Sequence, residues 1–139
     1  MDFGTLKADI LALIGRAPAD ACYRLVTADI NNFLRLKSME TTVTLTEAAE
    51  ITLPTDFLGG VDVYRDTNPR YALRPTSAQA INNTFQTSGI PKEYAIVDGK
   101  LLLNPSPDGA EDIKLRYFAK VGDLVADGDT NVVLNAHPG

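Results

Sequence analysis

The spacing of apolar residues changes once along this chain, and that change constrains the fold class more than any other feature. Leu6, Ile10, Leu13 and Ile14 recur at i, i+4, i+7 and i+8, one stripe of an α-helix, with Thr5 as the expected N-cap. Gly15 and Pro18 interrupt the stripe, and Pro18 suits the first turn of a second helix. There Cys22, Val26, Ile30, Phe33 and Leu34 repeat the spacing, while Arg24, Asn31, Arg35 and Lys37 point elsewhere. Residues 1–38 thus read as an amphipathic helical hairpin whose stripes must be buried against something.

From Thr41 the period is two. In "TTVTLT", Val43 and Leu45 alternate with threonines, as in a half-buried strand. "EITLPTDF" continues with Ile51 and Leu53 until Pro54, which has no N–H for a ladder. "GGVDVYRD" brings Val61 and Val63, "TNPR" is a turn by composition, and "YALRP" is a further extended piece. A short helix over about 76–86, capped by Thr76 or Ser77, ends at "SGIP". Asp98-Gly99 is a preferred pair for a two-residue type I′ hairpin turn. The resulting register sets Val97 opposite Lys100, Ile96 opposite Leu101 and Tyr94 opposite Leu103. Tyr94, Ile96, Leu101 and Leu103 then share a face. "NPSPDG" makes the next turn, and "DIKLRYFAK" adds Ile113, Leu115 and Tyr117 to the same face of a three-stranded meander whose other face is mixed and wet. Helices followed by strands favour α+β over a parallel βαβ sheet. The expected architecture is one domain, 1–139: the hairpin packed with a small antiparallel sheet over 41–120, then a tail over 121–139 in which a C-terminal helix starts.

Little in the chain suits catalysis. His137 is the one histidine and lies two residues from the end of the sequence, a poor place for pre-organised chemistry. Cys22 falls on an apolar stripe, where a small buried thiol is the ordinary outcome. One cysteine with one histidine is too few for a structural zinc site, and neither phosphate-loop spacing occurs. "ADGDTN" places Asp127, Asp129 and Asn131 at the opening spacing of a calcium loop, but Val132 stands where that loop needs glycine. The segment reads better as a turn followed by an N-cap, Asp129 or Thr130, for a terminal helix. No cofactor or metal is expected.

Bulk properties narrow the partners. Net charge is −5 and the isoelectric point about 4.7, the wrong sign for sequence-independent grip on phosphate backbones. Arg16, Arg24, Arg35 and Lys37 give the second helix only a weak basic tendency, read as a solvated face. No run of about 18 apolar residues exists, "MDFGTLKADILALIG" lacks the basic start of a secretion signal, and a single cysteine gives no sign of an oxidising compartment.

The order of the pieces is itself informative. "INNFLRLKSMETTVTLTEAAEITLPTDFLGGVDVYRD" resembles the helix-to-strand passage of tailed-phage head-to-tail adaptor proteins, with a helix ending in basic residues, a Thr-rich strand and an LP-x-DF-L step. "SGIPKEYAIVDGKLLLNPSPDGAEDIKLRYFAK" is similar to that family's G-x-P-x-x-Y-x-I, L-x-L-x-P-x-P and L-x-Y steps, and "DGDTNVVLNAHPG" to its D-x-x-T-N-x-L-L segment. The resemblance implies a non-enzymatic virion protein, assembled in the host cytoplasm. It would form a homo-oligomeric ring, commonly of twelve copies, between portal and tail or nozzle proteins. Such a ring extends the channel for passing DNA without sequence-specific binding and has no membrane partner. Arg24, Arg35, Lys37, Val132, Val133, Leu134 and His137 are the expected interface residues, from polarity and position. The family continues past the T-N-x-L-L step into a longer helix, so the tail is expected to order only on a neighbouring subunit or the portal. The residues alone also fit a small intracellular regulatory or ligand-binding α+β module, or a hydrolase or nuclease working through carboxylates and a metal.

Overall fold

The computed structural model of the chain describes residues 1–15, 20–83, 87–124, 126 and 128–136. Its elements are α1 (Phe3–Ile14), α2 (Asp20–Phe33), a single 3-10 turn (Lys37–Met39), β1 (Glu40–Thr46), β2 (Glu50–Thr52), β3 (Phe57–Arg65), β4 (Tyr71–Ala72), β5 (Arg74–Pro75), α3 (Ala78–Asn83), β6 (Ser88–Gly89), β7 (Glu93–Val97), β8 (Lys100–Asn104), β9 (Ser106–Pro107), β10 (Asp112–Ala119) and α4 (Val132–Ala136). This is the α+β order expected from the change of period. The chain forms two compact units, Met1–Glu40 with Ala119–Gly139, and Thr41–Phe118.

In the first unit α1 is capped by Asp2, not Thr5. The Asp2 carboxylate accepts the Thr5 N–H at 2.7 Å, a bond that holds its pKa below the usual carboxylate value and supplies negative charge at the positive helix end. Gly15, at φ 74°, closes the other end by donating to the Leu11 carbonyl, a left-handed cap that glycine takes without strain. Pro18, the expected start of the second helix, lies outside the described residues.

The buried face of α2 is not the apolar stripe. Tyr23, Thr27 and Asn31, each one turn from the next, are buried, whereas Cys22, Val26, Phe33 and Leu34 are exposed and Ile30 half-buried. Two contacts orient the helix. Phe3 of α1 meets Tyr23 edge to face with ring centroids 4.7 Å apart, and these two with Leu124 and Leu134 form the unit's buried cluster. Asn31, 8 % exposed, accepts the Val121 N–H at 2.8 Å and donates to the Val121 carbonyl at 3.1 Å. The segment that follows β10 has no regular structure, so its buried backbone groups need side-chain partners. A side-chain amide satisfies one donor and one acceptor at once. That demand outranks the burial of valine and isoleucine, and α2 turns its polar face inward.

The described residues of the tail bond and pack within the helical unit. Asn131 caps α4, its Oδ1 accepting from Val133 and Leu134 N–H at 3.1 and 3.0 Å, in place of the expected Asp129 or Thr130. Asp129 instead closes the preceding turn by accepting the Ala126 N–H, and its carbonyl accepts the Phe3 N–H at 2.8 Å. Leu134 is buried against Phe3, Tyr23 and Leu124.

The second unit holds two four-stranded sheets, ordered β1-β10-β3-β4 and β2-β8-β7-β5, and a two-stranded pair β6-β9. The Asp98-Gly99 hairpin has the expected register, Val97 to Lys100, Ile96 to Leu101 and Tyr94 to Leu103, with φ of 48° and 72° at the two turn residues. The expected meander does not continue, because β10 leaves for the other sheet. Residues 105–111 are not a hairpin turn: Ser106–Pro107 pairs in parallel with Ser88–Gly89, and a hairpin loop of two to five residues is no longer available. Ile113, Leu115 and Tyr117 are buried as expected, but in a different sheet from Tyr94, Leu101 and Leu103. Ile96 is exposed.

"YALRP" likewise divides. Tyr71–Ala72 pairs antiparallel with β3, Arg74–Pro75 pairs parallel with β7, and buried Leu73 marks the crossing, donating its N–H to the Val63 carbonyl. The short helix begins after Ser77, whose Oγ accepts the Ala80 N–H; its expected last residues, 84–86, lie outside the described ones.

Replacing Asn31 by alanine leaves the Val121 backbone groups buried without partners, a loss of about 2 kcal/mol. Cys22→Ser, on the exposed stripe, is expected to change stability by under about 0.5 kcal/mol. Urea unfolding of the two variants checks this: a lowered midpoint at unchanged slope is expected for Asn31→Ala alone, and the opposite ranking would contradict the orientation of α2.

Candidate interaction surfaces

Turning the polar face of α2 inward leaves apolar side chains outside. Leu6 and Ile10 of α1, Tyr23, Val26 and Ile30 of α2, and Val133 of α4 line an open apolar groove of about 270 Å³. The Tyr23 hydroxyl is buried without a hydrogen-bond partner among the described residues. Beyond the groove, Leu13 is 85 % and Phe33 80 % exposed, and Leu11, Ile14, Leu25, Leu34 and Leu36 are also uncovered. Single exposed apolar residues need no explanation, but this many on two helices and one adjoining segment point to an interaction surface.

The strands offer a different surface. On β10, Arg116 pairs with Asp62 of β3 at 2.7 Å, and Lys114 reaches Asp66 at 3.7 Å and donates to Thr44. Arg70 pairs with Asp66 at 3.3 Å and lies over the Tyr64 ring. Opposite charges are thus matched locally, and exposed pairs of this kind contribute little stability. Deeper, the buried Glu47 carboxylate receives a two-pronged contact from Arg65, the geometry a guanidinium fork favours. Tyr117 stacks on Phe57 at 5.6 Å and donates to Asp56 at 3.0 Å. Burial first, then the bond to Asp56 and its charge, push the phenol up to about 12. These groups fasten strands, and among the described residues no three of His, Cys, Asp and Glu cluster as metal ligands would.

The expected interface residues fall in several settings. Arg24 is exposed on α2. That helix ends at Phe33, so Arg35 and Lys37 lie beyond it. Arg35 donates to the carbonyls of Asn31 at 3.0 Å and Leu34 at 2.7 Å, satisfying groups the helix end leaves open. Lys37 opens the 3-10 turn and is exposed. Val133 is half-buried in the groove wall, and Leu134 is buried. Arg16, Asp127, His137 and the side chain of Val132 lie outside the described residues. Cys22 is exposed, a correction that follows from the rotation of α2.

The sequence pattern missed Phe3 and Tyr23. A signal was present, since Tyr23, Thr27 and Asn31 share the i, i+4, i+8 spacing of one face, but two of the three are polar and a hydrophobic stripe passes over them.

The family model described as "SU10 adaptor protein" matches residues 1–139. The chain belongs to the SU10 adaptor protein family. Members are phage head-to-tail adaptors, structural proteins of the virion that meet portal and tail proteins. No curated protein matches the chain. Among its described residues no helix is long and apolar enough to cross a membrane.

Because the folded Tyr117 phenol ionises near pH 12 rather than near the ordinary value of 10, its contribution to stability is complete below about pH 10. That contribution fades as pH rises toward 12. Tyrosinate absorbance followed against pH is expected to contain a late step that Tyr117→Phe removes; an unchanged titration would count against this environment.

Proposed function

We propose that this adaptor assembles as a ring, of twelve copies as the family likeness implies, beneath the portal, completing the head and extending the channel through which DNA passes. The family match over residues 1–139 carries the reading. Three features support it. The described residues gather no metal-ligand cluster; the excess of acids, 18 Asp and Glu against 13 Lys and Arg, disfavours a tight hold on passing DNA; and the helical unit keeps apolar side chains uncovered, as a subunit awaiting neighbours would. The contact region is proposed to draw on Arg24, Arg35, Lys37, Val132, Val133, Leu134 and His137.

Within the particle the two units have separable tasks. The strand-rich unit supplies a stiff body, since its strands are fastened by the contacts of buried Glu47 with Arg65 and of buried Tyr117 with Asp56. The helical unit supplies the adhesive surface.

Heads purified from phage lacking this chain are expected to fill with DNA but not to take tails, and adding the purified chain is expected to restore tail attachment and infectivity. Electron micrographs and plaque counts read the outcome. Heads without the chain accepting tails as well as complete ones would overturn the reading.

A further inference from the structure

Two unlike apolar features sit on the helical unit, and the described residues cover neither. One is the groove walled by Leu6, Ile10, Tyr23, Val26, Ile30 and Val133. At about 270 Å³ it exceeds the roughly 150 Å³ that suffices for a benzene ring. The other is the exit of α2, where Phe33, Leu34 and Leu36 expose three apolar side chains within four residues, on backbone that is irregular from Leu34 to Leu36. None of the three lines the groove.

We infer that these features are peg and socket for one another between copies: Phe33, with Leu34 and Leu36 beside it, seats in the groove of a second copy of this chain. The inference rests on the ring reading and names the surfaces that make the ring. Two observations favour a second copy as the occupant. The helical unit leaves Leu11, Leu13, Ile14, Leu25, Val26, Phe33, Leu34 and Leu36 exposed, large apolar side chains of the kind that the core of a homo-oligomer interface takes out of water. Both halves of the fit are carried by the same polypeptide on different patches, so each copy has a free peg and a free socket. Such a contact is heterologous, and it propagates from copy to copy until the rotation closes a ring.

Phe33→Asp removes the peg and keeps the socket; Val26→Asp spoils the socket and keeps the peg. Both positions are exposed, and unchanged thermal melts of the purified chains verify folding. Native mass spectrometry at high protein concentration is expected to show each variant alone as a monomer. An equimolar mixture is expected to give a one-to-one dimer that grows no further, while the unsubstituted chain passes beyond the dimer. Heads lacking the chain serve as the second assay, since they supply whatever assembly requires: each variant alone is expected to restore tail attachment at least tenfold less than the unsubstituted chain. Either variant self-associating, or restoring heads, as fully as the unsubstituted chain would overturn the peg and socket. So would a mixture that remains monomeric while the unsubstituted chain oligomerises. If the unsubstituted chain neither oligomerises nor restores heads, the adaptor reading falls with the inference. If it restores them and the variants do too, only the inference falls.

Discussion

The carboxamide of Asn31, bonded to both backbone groups of Val121, governs the helical unit. A chain segment without regular structure that lies in an interior must find partners for its N–H and C=O groups. Here a helix supplies them. The consequence reaches every neighbour on α2, because a helix can present only one face at a time. With Asn31, Thr27 and Tyr23 turned inward, Val26 and Phe33 have nowhere to go but out. Phe3 completes the arrangement through its edge contact with Tyr23 and its N–H to Asp129, so the start of the described chain, α2 and the tail depend on one another.

The strand-rich unit follows another logic. Its sheets are built by a chain that changes sheet repeatedly, at Leu73 within a single residue and again between β8 and β10. Each crossing is fixed by a backbone bond or a short parallel pair, Leu73 to Val63 and β6 to β9. The buried Glu47 carboxylate has its guanidinium partner, so the charge is not left uncompensated in the interior, where it would be costly. A unit so fastened suits a part that must keep its shape while other proteins attach to it. In the helical unit, Asp129 and Asn131, whose spacing in sequence opens like a calcium loop, close a turn and cap a helix.

Much of the local structure was legible from residue order. Alternation marked β1, β2 and β10, and Asp98-Gly99 gave the hairpin and its full register, because a type I′ turn leaves no freedom in which residues pair. Caps were harder. Asp2, Asn131 and Ser77 do the capping, yet several Ser, Thr, Asp and Asn residues stood close by, and composition cannot say which side chain bonds which N–H. The interaction surface was legible only in reverse: Leu13, Val26 and Phe33 form the stripes that periodicity assigns to a core, and they are the residues left uncovered.

The sequence by itself determined the α+β order, the place of the two long helices, the longer strands and the Asp98-Gly99 hairpin, the acidic balance and the family. These depend on neighbours a few residues apart and on the period of the side chains. The tertiary structure alone decided which face of α2 is buried, that β10 joins β1 and β3 rather than β8, and that the tail packs on Phe3 and Tyr23. Each of those outcomes turns on partners far apart in the chain, Asn31 with Val121 being 90 residues apart. At that range the need to satisfy a buried backbone group overrides a local hydrophobic pattern.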